Sequence, residues 1–120
     1  MKKIIILLLL LIPIAINAQN ATGASKFAWD QVALDLATAN SYTYKYYPDG
    51  SLTGTTFTGV VCTNSSPSTL SCVVNIPAFT PGNHTVQITA SNVAGESAKS
   101  SPFPFVFVVV PVAPVNIRLQ

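Results

Sequence analysis

Thr80-Pro81-Gly82-Asn83-His84-Thr85-Val86-Gln87-Ile88-Thr89-Ala90-Ser91-Asn92-Val93-Ala94-Gly95-Glu96-Ser97 is the stretch from which the fold of this 120-residue chain is read. His84, Val86, Ile88 and Ala90 alternate with Thr85, Gln87, Thr89 and Ser91, so a strand over 84–92 turns one face to a core and the other to water. Residues 80–83 carry the turn that feeds it, and 92–97 form the loop that leaves it. Working outward, clusters of Gly, Pro, Asn and Ser separate further short runs rich in Val, Ile, Thr, Tyr and Phe. Residues 26–30, 41–47, 55–62, 70–76 and 103–110 read as strands, with Pro48-Asp49-Gly50 as a turn and 31–40 as a helical turn or long loop. Short strands at that spacing predict an all-β sandwich.

The N-terminus has the layout of an export signal. Lys2 and Lys3 precede an apolar run over 4–16 broken only by Pro13, and small polar residues follow. A bilayer span needs about 20 apolar residues, so a cleaved signal over 1–18 is the expectation, with a cut after Ala21 or an uncleaved signal anchor as the alternatives. No cysteine stands near this junction to take a lipid. Past it, Lys26, Lys45, Lys99 and Arg118 are matched by Asp30, Asp35, Asp49 and Glu96, so the domain is near neutral. It lacks the basic stripe that nucleic acid requires.

Cys62 and Cys72 flank a Ser-, Thr- and Asn-rich stretch with Pro67 near its centre. Antiparallel pairing about that turn sets Cys62 opposite Cys72 and Val60 opposite Val74, which makes a disulfide reachable. An exported protein meets an oxidising compartment, secreted, periplasmic or cell-surface, where the bond forms. A metal site would want more ligands than this pair and His84, and no metal or cofactor is expected.

Val86-x-Ile88-x-Ala90-x-Asn92-x-x-Gly95-x-Ser97 resembles the F strand and following loop of fibronectin type III domains. Phe27-Ala28-Trp29-Asp30 resembles the family's B strand with its core tryptophan, and Tyr42-x-Tyr44-x-Tyr46 its C strand. The resemblance implies an immunoglobulin-like β-sandwich of the fibronectin type III kind over 19–110. His84 stands where the family usually has tyrosine, which puts the tyrosine-corner hydrogen bond in doubt, and a hairpin disulfide is not general to the family. Too little chain precedes Trp29 for a normal first strand. Yet Pro111-Val112-Ala113-Pro114-Val115-Asn116-Ile117-Arg118-Leu119, within a C-terminal segment 111–120, resembles the stretch that opens many such domains. It is a linker, a strand folding back into its own sheet, or a strand donated to a neighbour.

These features point to an exported, non-catalytic structural, adhesive or protein-interaction module, with self-association or a protein partner. Candidate assembly residues are Val106, Val108, Pro114, Ile117 and Leu119, because the run 103–110 is apolar on both faces and calls for cover by a neighbouring strand, the tail or a partner. Candidate binding residues in loops are Asp35, Pro48, Asp49, Gly50, Asn92, Gly95 and Glu96. A carbohydrate-binding module is the alternative. Alternation puts Tyr42, Tyr44 and Tyr46 on a core face, leaving only Tyr47 beside Lys45 on the other, so a glycan would be held by loops. An enzyme is not expected: His84 has no carboxylate or nucleophile near it in sequence, and no serine sits in a nucleophile elbow. Sequons at Asn20, Asn64 and Asn83 decide little, since Ser/Thr richness alone produces them.

Overall fold

The computed structural model of the chain describes residues 18–66 and 69–120. The signal expected over 1–18 lies outside them except for Ala18, and so does Pro67. The strands are β1 (Gln19–Ala21), β2 (Lys26–Gln31), β3 (Thr43–Pro48), β4 (Thr55–Thr56), β5 (Val61–Ser66), β6 (Thr69–Asn75), β7 (Gly82–Asn92), β8 (Gly95–Glu96) and β9 (Phe103–Phe107), with one short helix, α1 (Leu36–Ser41). They form a β-sandwich. One sheet has the order β1-β9-β7-β3-β4 with β8 beside β7, and the other has the order β2-β6-β5. No helix of the described residues is long and apolar enough to cross a membrane.

The alternation in 84–92 produces the expected core face, but the opposite face is not left to water, because Thr89 is 3% exposed beneath Glu96. Val86 is buried and Ile88 and Ala90 pack against the core, while β3 lies alongside with Tyr44 opposite Ala90 and Tyr46 opposite Ile88. Trp29 stacks on Phe57 and meets the edge of Tyr44, and Phe27 meets Phe105 edge-on, so aromatic rings fill the space between the sheets. Cys62 lies opposite Cys72 in the β5–β6 hairpin, and a disulfide joins them in the core.

Two expectations about strands need correction. The run 55–62 is not one strand, because the chain changes sheets within it: β4 pairs with β3, β5 pairs with β6, and Gly59 takes a φ of 79° between them. That left-handed backbone is natural only for glycine. Nor is the space before Trp29 too short for a first strand. Gln19–Ala21 pairs parallel with β9, which takes only a few residues because the strand has a single neighbour.

Candidate functional site

The loop residues singled out from sequence are, for the most part, engaged within the molecule. Asp35 is the N-cap of α1, its Oδ1 accepting the Thr38 N–H at 2.7 Å, and hydrogen bonding from the Thr38 side chain first, then from its backbone N–H, holds the carboxyl below the usual carboxylate range. Asn40, near the other end of α1, accepts the Cys62 N–H at 2.9 Å and donates to the Cys62 carbonyl at 3.2 Å. A side chain thereby closes the outer edge of β5.

Pro48 ends β3, and Asp49 and Gly50 turn the chain with φ of 51° and 71°. The Asp49 carboxylate reaches across to β7, where Oδ1 accepts the Thr85 N–H at 3.0 Å and Oδ2 lies 2.8 Å from His84 Nδ1. His84 Nε2 lies 2.7 Å from the Thr80 carbonyl oxygen. Both ring nitrogens face acceptors, so the imidazolium is the form that satisfies them. The bond to Asp49 raises the His84 pKa above its ordinary value, and the same bond, chiefly, lowers that of Asp49. No local pattern announces this pair, because its members are 35 positions apart. It fastens a turn to a strand. Both polar atoms of the His84 ring are thus engaged within the molecule.

Asn92 and Gly95 pair across the tip of the β7–β8 hairpin, with Asn92 Oδ1 accepting the Ala94 N–H at 2.8 Å. Glu96 folds onto the outer face of the larger sheet. Its carboxylate accepts the Thr89 hydroxyl at 2.6 Å and the Tyr47 hydroxyl, and Lys45 Nζ lies 3.9 Å away. Hydrogen bonds from Thr89 first, and then Tyr47, keep the Glu96 carboxyl below its ordinary value. Tyr47 is only 6% exposed. Lys99 Nζ sits 4.2 Å over its ring, and Gly54 packs so closely that a Cβ there would meet ring atoms at 2.5 Å. Tyr47 does face away from the core, as alternation required, but it is covered and offers no platform.

The loops also expose large apolar side chains: Val32 and Leu34 before α1, Val93 at the hairpin tip and Leu52 after the turn. Asn20, Asn64 and Asn83 are exposed as well. Among the described residues, no three of His, Cys, Asp and Glu converge as they would around a metal ion.

The remaining feature is at the C-terminus. Phe105 and Phe107 fill the core from β9, Phe103 is partly exposed, and Val106 is half-buried beside β1. The Val108 N–H donates to the Ala21 carbonyl at 2.8 Å. From there the chain leaves the sandwich: residues 108–120 belong to no strand and are exposed. Val112, Ile117 and Leu119 stand at 92%, 92% and 101% exposure, with Pro114 among them, and Asn116 bends the arm with a φ of 56°. The arm therefore covers no part of its own sheet. Comparison with protein-family models, with curated proteins and with solved structures gives no match.

Proposed function

We propose that this chain is an exported, non-catalytic interaction module with an immunoglobulin-like β-sandwich of the fibronectin type III kind, which assembles through its exposed C-terminal arm. The observation that carries the assembly reading is the arm itself. Val112, Val115, Ile117 and Leu119 lie in water on a segment that the parent sandwich does not bury. Leaving several large apolar side chains in one exposed run forgoes about 1.5–3 kcal/mol each, which a partner surface recovers.

Strand order supports the immunoglobulin-like part of this reading. A sheet of β2, β6 and β5 facing a sheet built on β3, β7 and β9 is the B-E-D and C-F-G grouping of immunoglobulin-like domains. His84 supports it too. At the start of the strand in the F position, it bonds a carbonyl four residues upstream, which is the service a corner tyrosine performs. The disulfide and the basic-then-apolar N-terminus favour an oxidising, extracytoplasmic compartment.

Light scattering under non-reducing conditions on residues 19–120 and 19–110, which share every strand, tests the assembly reading. The longer chain is expected to gain mass with concentration and the shorter one to remain a monomer. Monomers of both at all concentrations would refute self-association through the arm.

A further inference from the structure

We infer that the arm's acceptor is the bare edge of β2 in a second copy of this chain, where residues 115–119 add as an antiparallel strand over the cleft between the sheets. This rests on the assembly reading of the arm and supplies the docking site that it needs.

The edge is identified by backbone accounting. β2 ends its sheet, and among the described residues no strand pairs with its outer side. The Ile76 N–H donates to the Ser25 carbonyl at 3.1 Å, which makes Ser25 and Ile76 a hydrogen-bonded pair in the β2–β6 register. Such pairs alternate along an antiparallel ladder, so Phe27 and Trp29 also turn their backbone groups to β6. Lys26, Ala28 and Asp30 therefore direct theirs to the open side. Beneath that side runs a cleft lined by Phe27, Trp29, Ile76, Ile88 and Phe103. The enclosed indole N–H of Trp29 has no hydrogen-bond partner there among the described residues.

The arm fits this edge in pattern. Val115, Ile117 and Leu119 alternate with Asn116 and Arg118, so a strand over them presents one apolar face and one polar face. With Arg118 opposite Ala28, Ile117 lies opposite Trp29 and Leu119 opposite Phe27, over the cleft. Asn116 then lies opposite Asp30, and Arg118 is diagonal to Asp30 on one side and to Lys26 on the other, on the wet face. Sliding by one residue would turn the apolar side chains to water. Sliding by two one way would set Arg118 opposite Lys26; the other way it would set Arg118 opposite Asp30 and Leu119 opposite Trp29 but carry Ile117 past Trp29 to Gln31, leaving Phe27 uncovered. Pro114 falls beyond the paired segment, so its missing N–H costs nothing. Asn116 must straighten from its left-handed bend, a small change for asparagine.

Polarity says why the acceptor belongs to another copy. β1 and β9 run parallel, and Ala21, at the end of β1, is joined by a short turn to the start of β2. Phe27 lies against Phe105, and Trp29 lines the cleft beside Ile88, so β2 runs opposite to β9. The arm leaves β9 at the end where β2 begins. Folding back on its own β2, it would run parallel after a sharp reversal, whereas an arm from a neighbour is free to run antiparallel. One arm and one acceptor per copy make a heterologous contact, which extends into chains unless it closes.

Trp29 is the only tryptophan, so it reports on the cleft. Residues 19–120 should be followed by light scattering and Trp29 emission across concentration, alongside Ile117→Asp and Ala28→Pro. Proline at 28 removes an N–H of the open edge and spares the ladder to β6. Expected are a rise in mass accompanied by a blue shift of Trp29 emission, association weakened about tenfold or more by Ile117→Asp, and a folded, monomeric Ala28→Pro protein. If Ala28→Pro unfolds, the Trp29 shift decides alone. Mass that rises with Trp29 emission unchanged, or assembly that survives in folded Ala28→Pro, overturns the β2 acceptor while leaving the arm's assembly role standing. A wild-type monomer at every concentration overturns both.

Discussion

Reducing the Cys62–Cys72 disulfide should cost a large part of the domain's stability without removing an atom from its core. The bond closes a loop with a sequence separation of 10. In the chain-entropy model a loop of that size restricts the unfolded state by about 9 cal/mol/K, or about 2.7 kcal/mol at 25 °C. The native state gives little of this back, because both sulfurs are buried in the core, each 3.7 Å from the Tyr44 hydroxyl. Two thiols need more room there than one disulfide, which adds to the cost. β5 depends on the bond more than its neighbours would, since among the described residues no strand pairs with its outer edge, where Asn40 bonds Cys62. The assay is urea unfolding of residues 19–120 at neutral pH with and without reductant, followed by Trp29 fluorescence. For a domain of this size m is about 1–1.5 kcal/mol/M, so the midpoint should fall by about 2 M. A fall below about 0.5 M would refute the reasoning. It would mean that the hairpin's ends stay together in the unfolded chain and that the cross-link constrains almost nothing.

Stability should also follow the His84–Asp49 pair with pH. His84 has a raised pKa in the folded state, so its contribution is complete below its ordinary value of 6.5 and is lost as pH rises through the folded value. Asp49 has a lowered one, so its contribution is present above 3.8 and is lost as pH falls through its folded value. The thermal midpoint should therefore be highest between those limits and decline above neutrality, and His84→Phe should flatten the alkaline decline. An unchanged alkaline limb in that variant would exclude the pair as its source. Gly54→Ala should destabilise by about 1–3 kcal/mol in chemical denaturation, because the new Cβ meets the Tyr47 ring at 2.5 Å and the hydroxyl's bond to Glu96 keeps the ring from swinging aside. A neutral result would show that Tyr47 is free to move.

Periodicity and turn chemistry determined the sandwich. Alternation through His84, Val86, Ile88 and Ala90 and through Tyr42, Tyr44 and Tyr46 assigns inward faces without reference to any neighbour, since a pleated strand has a period of two. The cysteine register could be read for the same reason, because a hairpin folds on a local turn and sets opposite residues by counting. Gly59 was less legible. A glycine in a strand-like run marks a break or a bulge equally well, and only the sheet change identifies which. The apolar arm was visible as a segment without a place, but its course was not. Three fates were open to it, and the choice depends on which edges the rest of the chain leaves bare.

Tertiary structure alone decided the rest. Asp49 and His84, Tyr47 and Glu96, and Asn40 and Cys62 are partners brought together by sheet packing across long separations in the chain, which no local pattern encodes. The open edge of β2 is likewise a property of the whole fold. Whether a strand has one neighbour or two depends on every other strand's position, so an edge becomes visible only when all the strands are in place.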